Sequence, residues 1–292
     1  MLNTHEHNAV FLTKAVEMLQ IQKDAWYIDA TFGRGGHTKA IIEAGGKVLA
    51  LDWDEEAIMA GQLKFVQALE KGHLILEREA FSHLQQIAAQ NQVQPQGILF
   101  DFGTSTNQLM SGERGFSFNQ EGELDMRMDQ RLGVSAKDIL AIIPEKQLAD
   151  AFSEYGGESD AWKIAKAIKR SPTPITTTRQ LADLIEKIKH GRSGKLHPAT
   201  KVFQALRIIV NSELDEIKSA LPQALDILNL TGNMVAISFH EGEDRLVKTY
   251  FKTWESNDKG VMMMPSPLSP TEEELVENPR ARSAKLRVFT KK

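Results

Sequence analysis

Asp29-Ala30-Thr31-Phe32-Gly33-Arg34-Gly35-Gly36-His37 follows the apolar pair Tyr27-Ile28 and opens a helical stretch, Thr38 to Ala44. A strand running into glycines and then a helix is a turn built for close approach of a ligand, because glycine tolerates a tight backbone. Working outward, Lys47 to Leu51 reads as a second strand ending at Asp52, nineteen residues after Gly33. Glu55 to Glu70 reads as a helix, His73 to Leu76 as a third strand, Ser82 to Gln90 as a helix and Gly97 to Phe100 as a fourth strand ending at Asp101. Strands alternating with helices predict right-handed βαβ units, a parallel sheet and an α/β fold.

A carboxylate at the tip of the second strand can accept hydrogen bonds from both hydroxyls of a ribose, so Asp52 points to a nucleoside-containing cofactor. The dinucleotide spacing G-x-G-x-x-G fails, since Thr38 stands where the third glycine belongs, and no G-x-x-x-x-G-K-[ST] phosphate loop is present. S-adenosylmethionine carries a ribose but no phosphate and suits the pattern better. A dinucleotide-dependent oxidoreductase and a purely structural tight turn stay open on these residues alone. Asp29 can hold a positive amino-acid end. Asp101 sits where open α/β sheets bind ligands. Phe81 is placed either to flank an adenine ring or to pack in the core.

The chain has 292 residues, 41% hydrophobic and 25% charged, ordinary for a globular protein and against wholesale disorder. There is no cysteine, hence no disulfide, thiolate metal site or cysteine nucleophile, and a cytoplasmic setting is the default. No apolar run is long enough to span a membrane, and the first ten residues lack a signal-peptide pattern. His5 and His7 have metal-like spacing without an evident third ligand, so no metal is expected. From about Met110 to Pro198 the strand rhythm stops and helical stretches follow. The expected organisation is therefore an α/β domain over 1–109 and 199–292, with an inserted helical domain at 110–198. Val202 to Leu228 predicts one long helix with Pro222 as a kink or junction. Met234 to Phe239 predicts a fifth strand, and Val261 to Met264 with Lys285 to Thr290 a closing antiparallel pair. Net charge is −4, but ten Lys/Arg against Asp183 and Glu186 give the stretch from Lys163 to Lys201 a charge of +8, leaving −12 on the rest. That asymmetry suits either a polyanionic partner or a solvated helix face.

Beyond these readings, the chain resembles the bacterial 16S ribosomal RNA cytosine-N4 methyltransferase family, the small-subunit methyltransferase H type. The stretches that carry it run nearly end to end. They are Tyr27 to His37, Gly97-Ile-Leu-Phe-Asp-Phe-Gly103, Glu113-Arg-Gly-Phe-Ser-Phe118, Leu124-Asp-Met-Arg-Met-Asp129, His197-Pro-Ala-Thr200, Phe203 to Ile208, Val210-Asn-Ser-Glu-Leu214, Ser238-Phe-His240, Glu243-Asp-Arg245 and Asn278-Pro-Arg-Ala-Arg-Ser283. The resemblance implies a class I (Rossmann-like) S-adenosylmethionine methyltransferase domain with an inserted helical substrate-recognition domain for RNA. It implies cofactor contacts at Gly35, Gly36, His37, Asp52, Phe81, Asp101 and Gln108. The implied partner is 16S rRNA within the small ribosomal subunit, methylated at N4 of a decoding-centre cytidine, and a homodimer is allowed. A ribosome-assembly module that keeps the pocket without catalysis is the alternative. The chain departs from the family at Asn107, where the family usually has Pro, and at Glu241-Gly242, which replace Ser-Leu.

Residue chemistry supports this direction. Methylation at C5 of cytosine by the usual route needs a cysteine, which is absent, so an exocyclic nitrogen or an oxygen is the expected acceptor. Asp101 and the Gly103–Ser105 backbone are the catalytic candidates at the fourth-strand tip. Arg114, Phe116 and Phe118 offer a guanidinium and two rings for base stacking, or for anchoring a loop. Thr200, Gln204, Arg207 and Asn211 share one helix face and are candidates to hydrogen-bond the substrate. His240, ending the fifth strand, is a further substrate-binding candidate. Arg280 to Lys292 holds six Lys/Arg and no acid, fit to touch phosphate or to edge the sheet.

Overall fold

The computed structural model describes residues 9–103, 114–189 and 197–292. The chain folds as two units, the first made of 1–103 with 214–292 and the second of 104–213.

The first unit is built on a seven-stranded sheet. In chain order its elements are α1 (Leu12–Leu19), β1 (Trp26–Asp29), α2 (Gly36–Glu43), β2 (Lys47–Leu51), α3 (Glu55–Lys64), α4 (Val66–Glu70), β3 (Leu74–Glu77), α5 (Leu84–Gln90) and β4 (Gly97–Asp101). The second unit carries α6 (Ala136–Ile142), α7 (Glu145–Glu154), α8 (Ala161–Lys169), α9 (Thr178–Lys189) and α10 (Thr200–Val210). The chain continues with α11 (Glu213–Ile227), β5 (Asn233–Ser238), α12 (Glu241–Ser256), β6 (Gly260–Met262), α13 (Glu272–Glu277) and β7 (Lys285–Lys291).

The strand order is β3-β2-β1-β4-β5-β7-β6. Strands β3, β2, β1, β4 and β5 are parallel, while β7 runs antiparallel between β5 and β6. The order reverses between β1 and β4, the switch point where open sheets leave a crevice beyond their strand tips. The parallel strands are apolar on both faces because both are covered. Ile28, Leu49, Ile98 and Phe100 pack with residues of α5, α11 and α12. Tyr27, Val48, Leu99 and Val235 pack with Ala15 and Leu19 of α1 and Ile41 of α2.

Several sequence expectations change. Glu55 to Glu70 is two helices, broken at Phe65, whose ring packs edge-on against Phe32 with centroids 5.9 Å apart. The expected helix from Val202 to Leu228 is also two, and Pro222 is not the junction but lies inside α11. The break falls at Asn211 and Ser212, where Ser212 has φ 48° and the Asn211 side chain donates to the Arg207 carbonyl at 2.9 Å. A side-chain amide that bonds its own helix end competes with continuation of the helix. The second unit runs over 104–213 rather than 110–198, because α10 packs on α6 and α7. No described helix is long and apolar enough to cross a membrane.

Candidate functional site

Four neighbouring parallel strands deliver their C-terminal ends to one rim: Asp29 ends β1, Asp52 follows β2, Phe81 follows β3 and Asp101 ends β4. Since β1 lies between β2 and β4, the turn after it, which carries Gly35, Gly36 and His37, rises between Asp52 and Asp101.

The turn is held from below. Asp29 is fully buried and accepts from the Thr31 amide at 3.2 Å and the Thr38 hydroxyl at 2.6 Å. Asp52 accepts from the Gly33 amide at 2.8 Å and the Asp54 amide at 2.9 Å, which ties the turn to the tip of β2. Gly33 has φ 53° and Gly35 φ 69°. A Cβ on Gly35 would lie 2.6 Å from the Phe65 ring and 2.7 Å from that of Phe32, so this glycine makes room for the aromatic floor of the turn.

Electrostatics single out the rim. Burial pushes the Asp29 carboxyl above its ordinary range and the His37 imidazole below its own, which favours neutral His37. The neutral ring donates from Nε2 to the Val10 carbonyl at 3.2 Å, and leaves Nδ1 facing Asp101 Oδ2 at 3.8 Å. Burial, reinforced by the charges of Asp29 and Glu243, pushes the Asp101 carboxyl well above the usual carboxylate range. Burial likewise raises Asp52 to about 7, with the two amides opposing the shift and the charges of Asp54 and Asp29 adding to it. Asp101 Oδ1 is buried and has no hydrogen-bond partner among the described residues. An orphaned buried acceptor is costly unless something donates to it. Beside the rim, Phe81 meets Trp53 at 6.1 Å between centroids and rests edge-on against Phe100 and Phe102.

The other expected residues do different work. Arg114 is buried and donates to the carbonyls of Arg127 at 3.0 Å and Met128 at 2.8 Å, with its guanidinium 5.7 Å from the Phe116 ring. Phe116 is itself buried. Phe118 stacks on His197 at 4.2 Å and meets Phe203 edge-on. Arg207 makes a two-pronged ion pair with Glu213, both contacts 2.7 Å. Asn211 is 2% exposed; it accepts from the Met128 amide and donates to the Met126 carbonyl. The expectation that Arg114 and Asn211 face a substrate is corrected, since the interior of their own unit uses their polar groups, and of the two readings of Phe116 its burial fits loop anchoring. His240 caps α12, its Nδ1 accepting from the Gly242 amide at 3.1 Å and, more loosely, the Glu243 amide at 3.4 Å. Its Nε2 stands 3.0 Å from Glu243 Oε1 but lacks hydrogen-bond alignment. Arg287, from the basic C-terminal stretch, is buried against Asp244. Ser105 and Gln108 lie outside the described residues.

Sequence reasoning missed Trp53, Thr31 and Glu243. Trp53 is the neighbour of Asp52, and Thr31 lies within the glycine turn, where its hydroxyl accepts from the Asp101 amide at 2.7 Å. Glu243 stands three residues after His240 as the far half of a capping box, a spacing that was available to find it.

The sheet order, the antiparallel β7 and the acid-rimmed glycine turn at the switch point define a class I, Rossmann-like methyltransferase domain. The chain belongs to the MraW methylase family, whose profile matches residues 4–292. It is 44% identical to the ribosomal RNA small subunit methyltransferase H of Beijerinckia indica subsp. indica, over 96% of this chain and 84% of that protein. It is 40% identical to the protein of that name from Coprothermobacter proteolyticus, over 100% of this chain and 98% of that one.

Proposed function

We propose that this chain transfers the methyl group of S-adenosylmethionine to N4 of a cytidine in the decoding centre of 16S rRNA, cytosine-1402 in the family. The observation that carries the reading is the pair of carboxyls, Asp52 and Asp101, on either side of the glycine turn, with Asp101 Oδ1 left without a donor among the described residues.

The residues present fit the cofactor. Asp52 would accept hydrogen bonds from ribose hydroxyls, and its bond to Gly33 keeps the adjoining turn of Gly35 and Gly36 in place. Phe81 and Trp53 would flank the adenine. Asp101 Oδ1, without a partner among the described residues, would be free to accept from an N–H donor of the amino-acid end. Gln108 enters through the family resemblance alone. Bound there, S-adenosylmethionine supplies an electrophilic methyl carbon on a sulfonium. The protein's part is to hold the cytosine N4 in line with that carbon, a kind of positioning that supplies about 7–11 kcal/mol of barrier reduction. An N4 acceptor would have to give up a proton on accepting a methyl group. The candidates to take it are the Asp101 carboxylate, if it is not spent on the cofactor, and the backbone of Gly103 to Ser105, of which Thr104 and Ser105 lie outside the described residues.

The target base must leave its stack to reach the rim. In this reading the second unit recognises RNA, with Phe118 and Arg207 on its candidate surface and His240 at the β5 tip. The substrate in this reading is 16S rRNA, in the small ribosomal subunit or free of it, in the cytoplasm, and a homodimer is allowed. The test is mass spectrometry of 16S rRNA after purified protein, S-adenosylmethionine and small subunits from a deletion strain are combined. N4-methylated cytidine should appear; its absence, with cofactor binding intact, refutes the assignment.

A further inference from the structure

Helix α8 of the second unit has two unlike faces. Ala161, Ile164, Ala165 and Ile168 are buried in that unit. The opposite face exposes Trp162 by 52%, an unusual position for so large an apolar ring. Lys163, Lys166 and Arg170 are exposed with it. Trp162, Lys166 and Arg170 follow one another at i, i+4 and i+8, and Lys163 stands beside them, so the four form one stripe.

Lys163 lies 3.2 Å from Asp160, whereas Lys166 and Arg170 have no ion-pair partner among the described residues. The two acids within the basic stretch are engaged elsewhere, Asp183 with Arg179 and Glu186 with His197. Lys169 does not belong to the stripe. Its ammonium donates to the carbonyls of Leu140 and Ala141 at 2.6 and 3.0 Å, closing the end of α6.

We propose that Trp162, Lys163, Lys166 and Arg170 form a docking surface for single-stranded RNA, the indole stacking on a base while the cations follow the phosphates. This rests on the reading of the chain as an RNA methyltransferase and names a surface for its substrate. A single exposed ring among cations matches the alternation of base and phosphate in a nucleic-acid strand. A membrane surface would need the apolar face of the helix, and that face is already buried.

The experiment measures binding of a fluorescein-labelled single-stranded oligoribonucleotide to the full-length protein by anisotropy, over a series of salt concentrations. Trp162→Ala should weaken binding by about five- to a hundredfold, and Trp162→Phe should restore most of it. Lys163→Gln with Lys166→Gln and Arg170→Gln should flatten the dependence of log affinity on log salt by about two, at roughly 0.7 per phosphate contact. Lys169→Gln should lower the melting temperature and leave that slope unchanged. Unaltered affinity in Trp162→Ala together with an unaltered slope in the triple variant overturns the proposal, as does loss confined to binding of anionic lipid vesicles. Methyl transfer to small subunits is read separately. RNA binding lost in the stripe variants while the unmodified protein transfers no methyl group would keep this surface and reject the enzymatic reading.

Discussion

The Gly33 amide donates to Asp52 Oδ2 across 2.8 Å, binding the turn after β1 to the tip of β2. One carboxylate therefore shapes the turn and presents its remaining lone pairs to whatever enters the crevice. Asp52→Ala removes both functions. S-adenosylmethionine affinity should fall by about 1.5–3 kcal/mol, the range for hydrogen bonds to a charged group. Titration calorimetry checks this, and an unchanged dissociation constant would remove Asp52 from the site.

Cofactor affinity should depend on pH. Asp52 titrates at about 7 and Asp101 well above the ordinary range, both chiefly through burial. If the ionised carboxylates are the acceptors, affinity climbs as pH rises through about 7. The effect on the free protein has the opposite sign. A raised carboxyl pKa means the folded state binds more protons than the unfolded chain, so the stability contributed by protonated Asp52 is lost as pH rises from about 4 to about 7. Binding measured from pH 6 to about 8.5 in the native protein and in Asp52→Asn separates the two trends; the variant should show the shallower rise.

Asp244 and Arg287 make a buried, two-pronged ion pair at 2.7 and 3.1 Å, and Lys285 adds a third contact at 3.1 Å. Burial alone would raise the Asp244 carboxyl, but the Arg287 guanidinium and the Lys285 ammonium outweigh it and hold it below the usual range. Asp244→Ala leaves Arg287 buried without its partner and should cost about 3–5 kcal/mol in urea unfolding. Asp244→Leu combined with Arg287→Met should recover much of that loss. Because the folded pKa is depressed, this contribution is present above about pH 4 and disappears as pH falls through the folded value.

Asn211 distinguishes a structural role from a substrate contact. Its amide holds the Met126 and Met128 backbone and the end of α10. Asn211→Leu should destabilise the protein by about 2–3 kcal/mol, the cost of leaving buried backbone groups unpaired. Hydrogen exchange should quicken at the Met128 amide. A lower RNA affinity with unchanged stability would return Asn211 to the substrate surface.

Gly35→Ala tests the turn itself. The added methyl would press on the Phe65 and Phe32 rings, and φ is 69° there. Thermal unfolding should shift downward by about 1–3 kcal/mol, and cofactor affinity should fall with it. An unshifted melting temperature would show that the aromatic floor yields freely.

Much of the rim was readable because each of its residues sits at the end of a local pattern. A buried apolar run must be a strand, an acid at its end must lie at the tip, and glycines before a helix must be a turn. The helical segments were harder. The Val202 to Leu228 run has a helical pattern throughout, and Pro222 is its conspicuous breaker. The actual break at Asn211 and Ser212 comes from a side chain satisfied by Met126 and Met128, more than eighty residues upstream. Arg114, Phe116 and Phe118 suit either base stacking or loop anchoring by residue type, because residue type carries no information about which side of a loop faces inward.

By itself, the order of residues determined the α/β alternation, the absence of a cysteine-based reaction, the glycine turn and the carboxyls that end β1, β2 and β4. Those features depend on periodicity and spacing, which are local. Folding in three dimensions decided which polar groups keep a vacant hydrogen-bonding position. Asp101 Oδ1 has none filled among the described residues, while Arg114, Asn211 and Arg287 are satisfied by distant backbone or by an opposite charge. Burial far along the chain sets the balance between exposure and desolvation for each of them, and no short window of sequence contains it.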